Sequence, residues 1–456
     1  MTPQADGPLK VGVISLGCPK NQVDTERMLG RFIQQGYELT SDPEVADLLV
    51  VNTCGFVADA EAESREAIEE MAAIKARHPG KRLLVTGCLS QRYGDDLIKD
   101  HPSIDLSVGA NTYETLIPLI QQSVQTETWS GNQVTPVTDF TQEETVARVL
   151  TTHPQSAYLK IAEGCNNPCA FCIIPQLRGP FRSRTPEDLR AEVQMLVSGS
   201  VRELNLVSQD TTLYGRDLNP RTDLAALVRD LDTVDELAWI RLLYLYPTLM
   251  NEALIQTVAQ SERVVPYFDI PLQHSHSDVL KRMKRAERYD DLVKLIQLIR
   301  KYMPEAVIRT TFIVGFPGET QEEFDHLYQF VEQTGFDHMG VFTYSDEPGT
   351  TAFDMADKVP QEVAEQRMDR LMTLQQGISA QRLAGWVGET VPVLVEGIQE
   401  DEQGAMLVGR SWFQAPEVDG QVFITDGEAA SGDIVAVTIT ESLDYDLVGI
   451  IAEAAE

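Results

Sequence analysis

Apolar positions along the chain fall into short runs separated by amphipathic stretches. Lys10–Leu16, Asp47–Asn52 and Arg82–Thr86 each read as a buried β-strand. Residues from about 22 to 34 and from 58 to 77 have helical spacing, the second stretch rich in Glu and Ala. Strands that alternate with helices predict a mostly parallel sheet. From about 121 to 152 the chain turns polar and rich in Thr and Gln, which reads as a linker with one edge strand.

A longer βα series follows. Its strands are expected at Tyr158–Ile161, Glu203–Val207, Trp239–Leu243, Tyr267–Ile270, Ile308–Ile313 and His338–Phe342. Six such units suit a partial (βα)6 barrel, with function at the carboxyl ends of the strands. Helical spacing runs from 360 to 384. After Gly385 the period switches to short alternating strands at Val391–Val395, Ala405–Val408, Gln421–Ile424, Ile434–Val437 and Tyr445–Gly449, which predict a small closed β-barrel. The expected fold class is therefore α/β with an all-β tail, in three domains spanning 9–124, 151–384 and 385–456.

Length agrees with that division, because 456 residues exceed one typical core. No apolar run reaches membrane-spanning length, and the first residues lack a signal-peptide pattern. A soluble, cytoplasmic protein without a membrane partner is expected. The formal charge of −33 disfavours binding to a phosphate backbone and suits a basic partner. The charge is not uniform in its meaning. Residues 386–456 hold fifteen Asp and Glu against one basic residue, Arg410, a local net of −14. A barrel so charged repels nucleic acid, so nucleic acid is not the expected substrate. The densest acidic run, Glu400-Asp401-Glu402, is expected in a loop between the first two barrel strands. Lys281–Arg285 is a short basic run without interleaved aromatics and reads as a solvated helix face.

The chemistry centres on Gly164-Cys165-Asn166-Asn167-Pro168-Cys169-Ala170-Phe171-Cys172. Thiolates are soft ligands, and three this close favour an iron–sulfur cluster or another thiophilic metal. Structural zinc would want a fourth nearby ligand, and none follows. Three cysteines leave one iron of a four-iron cluster without a protein ligand, and an open metal position is where chemistry occurs. Cys18, Cys54 and Cys88 each lie just past the carboxyl end of a predicted strand. In a parallel sheet those ends share one edge, so a second three-thiolate site is expected there. Gly17, Gly55 and Gly87 beside them point to close backbone approach.

The spacing CxxxCxxC with Phe171 before the last cysteine resembles the signature of the radical S-adenosylmethionine (SAM) enzymes. Leu16–Asn21, Asn52–Phe56 and Thr86–Cys88 resemble the amino-terminal domain of the methylthiotransferases, and the tail resembles a TRAM domain. The versions around Cys18 and Cys54 resemble those of the RimO branch. The resemblance covers about residues 9 to 452 and implies two 4Fe-4S clusters, one on Cys165, Cys169 and Cys172, the other on Cys18, Cys54 and Cys88. Pro168 departs from the polar or basic residue often found there.

Other residues are implicated less directly. Gly315, Pro317, Gly318 and Glu319 resemble a SAM-contacting segment, while Phe171 would lie near the adenine. Gln209 and Asp210 end the second core strand as candidate SAM or substrate contacts. His274, Arg178, Arg182 and Arg184 are weaker candidates. The implied chemistry is reductive cleavage of SAM, hydrogen removal from the β-carbon of an aspartate on small-subunit ribosomal protein twelve, and methylthio transfer to that carbon. Flavodoxin or ferredoxin would supply electrons. The alternatives are a transfer-RNA (isopentenyl-adenosine) methylthiotransferase, another kind of radical SAM enzyme, and a non-enzymatic metal-binding or ribosome-associated module.

Overall fold

A computed structural model describes residues 8–110, 113–129, 131–135, 147–401 and 404–452. The amino-terminal unit is a six-stranded sheet of β1 (Lys10–Ser15), β2 (Glu38–Leu39), β3 (Leu48–Thr53), β4 (Arg82–Gly87), β5 (Leu106–Ser107) and β6 (Gly131–Asn132). Every pairing is parallel, in the order β2-β1-β3-β4-β5-β6. Central β3 is buried along its whole length, as a parallel strand covered on both faces must be. Helix α1 (Pro19–Gln34) starts three residues before the expected boundary because Pro19 suits the first helical position. Helix α2 (Ala58–Arg77) matches its expected span. The helix Tyr113–Thr126 reaches into the stretch read as linker, and β6 is the single edge strand expected there. Residues 130 and 136–146 of that stretch lie outside the described residues.

The core begins with β7 (Ser156–Lys160). A small antiparallel ribbon of β8 (Ala162–Glu163) and β9 (Arg182–Ser183) then brackets the cysteine loop, a feature the apolar pattern did not predict. Next come β10 (Glu203–Val207), β11 (Trp239–Leu242), β12 (Val264–Gln273), β13 (Val307–Val314) and β14 (His338–Thr343). They form an open parallel sheet, β14-β13-β12-β11-β10-β7, the partial barrel expected. A large apolar cluster between the sheet and its outer helices includes Leu204, Leu206, Ile240, Phe268, Phe312 and Phe330.

The carboxyl-terminal strands β15 (Thr390–Asp401), β16 (Gly404–Ser411), β17 (Val422–Asp426), β18 (Ile434–Ser442) and β19 (Leu447–Ile451) close into a barrel. Strand β15 is longer than expected, so Glu400 and Asp401 end a strand rather than sit in a loop; Glu402 lies outside the described residues. The barrel plugs the amino-terminal end of the core sheet. Tyr158 OH lies 3.2 Å from Glu417, Arg241 Nη1 donates to the Trp412 carbonyl at 2.7 Å, and Tyr267 OH donates to Asp419 at 2.6 Å. Trp386 stacks on Phe413 at the same junction, with centroids 4.5 Å apart. Arg410, the barrel's one cation, is buried there: Nη2 is 2.6 Å from Glu203 and 2.7 Å from Glu396. The cysteine edge is at the opposite end of the core strands.

Candidate functional site

The register pairs Ser15 with Asn52 and Thr53 with Gly87, so three cysteine-bearing loops leave one sheet edge together. Glycines let them interlock. A Cβ on Gly17 would meet the Cys54 Cβ at 2.7 Å, and one on Gly87 would meet the Thr53 carbonyl oxygen at 2.4 Å. Both glycines have positive φ, +90° and +99°, which side-chain-bearing residues rarely adopt. Cys18, Cys54 and Cys88 are thereby brought within electrostatic reach of one another.

The second set sits in the loop after β8. Cys172 feels both Cys165 and Cys169, and the Asn167 N–H donates to Cys165 Sγ at 3.4 Å. Asp210 Oδ2 accepts from Asn167 Nδ2 at 2.7 Å, while Oδ1 accepts from Thr212 N–H and Oγ–H. Asp210 therefore clamps the cluster loop, and both its oxygens are already used. Gln209 donates to Glu163 at 2.7 Å and keeps its Oε1 buried without a hydrogen-bond partner among the described residues. Of the two, Gln209 is the one with an acceptor left for a ligand.

All six cysteines are free thiols. Burial pushes Cys54 and Cys165 up to about 11 and Cys172 up to about 12. Burial raises Cys88 and Cys169 too, against the pull of Arg178 on the first and of Arg285 and Tyr246 on the second. Buried thiols favour the neutral form until a metal centre supplies positive charge. Two sets of three soft donors, each set converging, fit two clusters of the kind implied.

The two sets face each other. Cys88 packs with Ile173 and Leu177, which directly follow the cluster loop. Arg178, completely buried, donates from Nε to Cys88 Sγ at 3.3 Å, from Nη2 to Asn21 at 3.0 Å, and from Nη1 to Asp24 at 2.7 Å. Lys160 pairs with the same Asp24 and, at 2.8 Å, with Glu163. Burial would raise the Glu163 carboxyl, but Lys160 and Arg178 hold it well below the usual range. Arg184 is likewise buried, 2.7 Å from Glu192. Neither is a surface arginine: Arg178 ties the core to the amino-terminal unit, and Arg184 pairs within the core. Sequence reasoning missed Asp24, Lys160 and Glu163, although Glu163 directly precedes the cysteine motif.

Phe171 shares an apolar cluster with Phe316, Met283 and Ala352, so the cluster loop and the Gly315–Glu319 segment are joined. Glu319 accepts from the N–H groups of Gly315 and of Phe316, the latter at 3.1 Å. The helix after it is closed by a Thr320/Glu323 capping box. Glu319 is thus a buried organiser of the turn, with His274 Nε2 at 3.7 Å on its other oxygen. Gly315 has φ +74°, and a Cβ there would strike Ala364 at 2.4 Å; Pro317 beside it is buried. Gly318 has φ +75°, and a Cβ there would make only ordinary contact with Arg282 at 3.6 Å.

The basic run is only partly solvated. Arg285 is buried, paired with Glu287, and hydrogen-bonds Cys169 together with Tyr246. Arg282 Nη2 holds Glu323 at 2.7 Å. His276, Asp278 and Glu323 bring ligand atoms within 4.8 Å of one another, but Arg282 already neutralises that group.

Comparison with known proteins agrees with this geometry. Family models match three stretches: "Uncharacterized protein family UPF0004" at 10–109, "Radical SAM superfamily" at 159–331 and "TRAM domain" at 387–451. Among solved structures, the radical SAM methyltransferase TsrM from Kitasatospora setae superposes with TM-score 0.56 at 14% identity, over 76% of this chain and 77% of that one. The cobalamin-dependent radical enzyme OxsB gives 0.53 at 12% identity, over 82% of this chain and 56% of the other. The fold and the cysteine loop define a radical SAM enzyme. Curated relatives narrow the class. Ribosomal protein uS12 methylthiotransferase RimO of Trichlorobacter lovleyi is 46% identical over 96% of this chain and 97% of its own. The RimO proteins of Geobacter sulfurreducens and of Synechocystis are each 44% identical, over 96% and 98% of this chain and 98% of their own lengths. The chain belongs to the RimO family of methylthiotransferases.

Proposed function

We propose that this protein transfers a methylthio group to the β-carbon of an aspartate of ribosomal protein uS12. The observation that carries the reading is 44–46% identity to RimO proteins over nearly the whole chain. The two facing cysteine sets supply the donors such chemistry needs. Cys165, Cys169 and Cys172 would hold one 4Fe-4S cluster, and Cys18, Cys54 and Cys88 the other. When bound, the clusters and SAM supply radical generation, sulfur and the methyl group.

The chain's own residues orient and shield. Asp210 and Asn167 fix the loop of Cys165, Arg285 and Tyr246 fix Cys169, and Arg178 fixes Cys88. Phe171 and Phe316 form the apolar wall on which we place the adenine of SAM, with Gln209 Oε1 and the Gly315–Gly318 backbone as its polar neighbours. No helix among the described residues is long and apolar enough to cross a membrane. We place the reaction in the cytoplasm, with flavodoxin or ferredoxin as the reductant.

The test is mass spectrometry of uS12 after incubation with anaerobically reconstituted protein, SAM and reductant. A methylthio mass gain on one aspartate is expected, and transfer RNA should gain none. Iron analysis adds a structural check. The protein should hold about eight irons, four per cluster, and Cys54→Ala should lose roughly half of them. Modified transfer RNA with unmodified uS12 would overturn the substrate assignment, and full iron in Cys54→Ala would overturn the second cluster.

A further inference from the structure

Three buried cations surround the cysteine sets with carboxylates of their own: Lys160 on Asp24 and Glu163, Arg178 on Asp24, and Arg285 on Glu287. Lys20 is buried beside them at 6% exposure, yet no carboxylate is within ion-pair distance of it among the described residues. Its Nζ lies 3.3 Å above the Tyr244 ring. That cation–π contact offsets only part of the cost of burying an ammonium. Position makes the charge worse placed still. Lys20 is in the first turn of α1, directly after Pro19, where the helix dipole disfavours a cation.

The surroundings hold Lys20 in place: its ammonium also hydrogen-bonds the Tyr244 hydroxyl, and Cys18 and Asp269 act on it electrostatically without an ion-pair contact. Tyr244 follows β11 in a left-handed conformation, φ 58°, and its N–H donates to Asp269 Oδ2 at 3.0 Å. Asp269 Oδ1 is taken by Arg309 at 3.2 Å. Two residues beyond Tyr244, Tyr246 hydrogen-bonds Cys169, and two residues before Lys20 is Cys18. Lys20 therefore stands between the two cysteine sets, fixed by Tyr244 and with no carboxylate in contact.

We propose that Lys20 is the receptor for the substrate's aspartate carboxylate and so a specificity-determining residue. The inference rests on the uS12 reading. The carbon to be modified is one bond from that carboxylate, so anchoring the carboxylate also places the carbon between the two cysteine sets. An adenine base carries no carboxylate and would leave the ammonium unpaired. The other source of a carboxylate is the methionyl end of SAM. Lys20 favours the substrate because it belongs to the Cys18 loop and not to the loop of Cys165.

The experiment uses cluster-reconstituted wild type and Lys20→Met, which keeps most of the apolar stem. The target aspartate is first located by mass spectrometry with wild type. Equilibrium binding is then measured for unmodified uS12, for its Asp→Asn variant at that position, and for SAM, with iron content alongside. Wild type should prefer the Asp form by roughly 30-fold, the loss typical when one partner of a buried charge pair is removed. Lys20→Met should bind both forms equally weakly, with wild-type SAM affinity and wild-type iron. A preference retained in Lys20→Met overturns the assignment. So does a fall in SAM affinity, which would give the carboxylate to SAM, or a loss of iron, which would make Lys20 a support of Cys18. Failure of wild type to bind or modify uS12 would instead remove the substrate reading itself, whatever Lys20 does.

Discussion

Arg178 Nε is 3.3 Å from Cys88 Sγ, so a side chain of the radical SAM core touches a cysteine of the amino-terminal unit. The same guanidinium reaches Asp24 and Asn21 of α1 and Glu163 beside the cluster loop. A second buried network adds to the grip: Arg148 joins Glu26 of α1 to Glu192 of the core, the latter at 2.6 Å. These ties fix how the two cysteine sets face each other.

Arg178→Met should therefore do more than remove a contact. Asp24 and Glu163 would be left buried with Lys160 as their shared cation. Breaking such a network costs about 3 kcal/mol or more. Urea unfolding should show that loss, and iron bound by the Cys18, Cys54 and Cys88 set should fall with it. A surface-like loss, below about 0.5 kcal/mol, would mean that the network does not hold the domains.

Gly315 and Gly318 separate two effects that the motif alone conflates. Both have positive φ, but a Cβ on Gly315 would clash with the Ala364 Cβ at 2.4 Å, whereas one on Gly318 would make ordinary contact with Arg282 at 3.6 Å. Gly318→Ala should cost about 1 kcal/mol from backbone strain. Gly315→Ala should cost about 3 kcal/mol, because overpacking adds to strain. Thermal unfolding of the two variants decides it; equal losses would show that the Gly315 turn relaxes away from the helix Gln361–Ala384.

Strand positions and the cysteine edge were legible because their signals are local. Four apolar residues in a row, Leu48–Val51, mark β3, and the cysteines immediately past β3 and β4 inherit their place from the strand. What was not legible is pairing across domains. Arg178 and Arg410 carry no sign in the sequence that each meets an acid far along the chain. Arg410 and Glu203 are 207 positions apart. The acidic tail was read correctly as charged, but its only cation is spent inside the junction. Likewise nothing in the motif shows that Glu319 binds the N–H groups of its own turn.

The Glu203–Arg410 junction gives the barrel a pH dependence. Burial alone would raise the Glu203 carboxyl, but Arg410 and Arg241 reverse that and bring it from the ordinary 4.5 down to about 2. A folded-state value below the unfolded one stabilises the protein at pH above the unfolded value. The contribution, about 3 kcal/mol when complete, is lost as pH falls from about 4.5 toward 2. Glu203→Gln should be less stable than wild type at pH 7, and the gap should narrow at pH 3. Denaturant melts at the two pH values read this directly. A gap that does not change with pH would show that Glu203 is not the titrating group.

The acidic barrel should govern how a basic protein arrives, and its position sets what can be tested. It caps the amino-terminal ends of the core strands, away from the cysteines, and covers Arg241, Tyr267 and part of His338. Deleting 386–456 would uncover those residues and damage the core, so deletion cannot isolate docking. Surface charge reversal can. Glu389, Glu428 and Glu441 are exposed on the barrel. Exposed charges act mainly on association rate and its salt dependence. Screening strengthens as the Debye length shortens to about 8 Å near physiological salt. Association with uS12 should slow as salt rises. Glu389→Lys, Glu428→Lys and Glu441→Lys together should slow it several-fold at low salt, leave iron content intact, and flatten the salt dependence. Stopped-flow binding across a salt series, with transfer RNA in parallel, makes the measurement. If the triple variant binds uS12 at the wild-type rate at every salt concentration, the barrel's charge is a solubility feature and docking lies elsewhere.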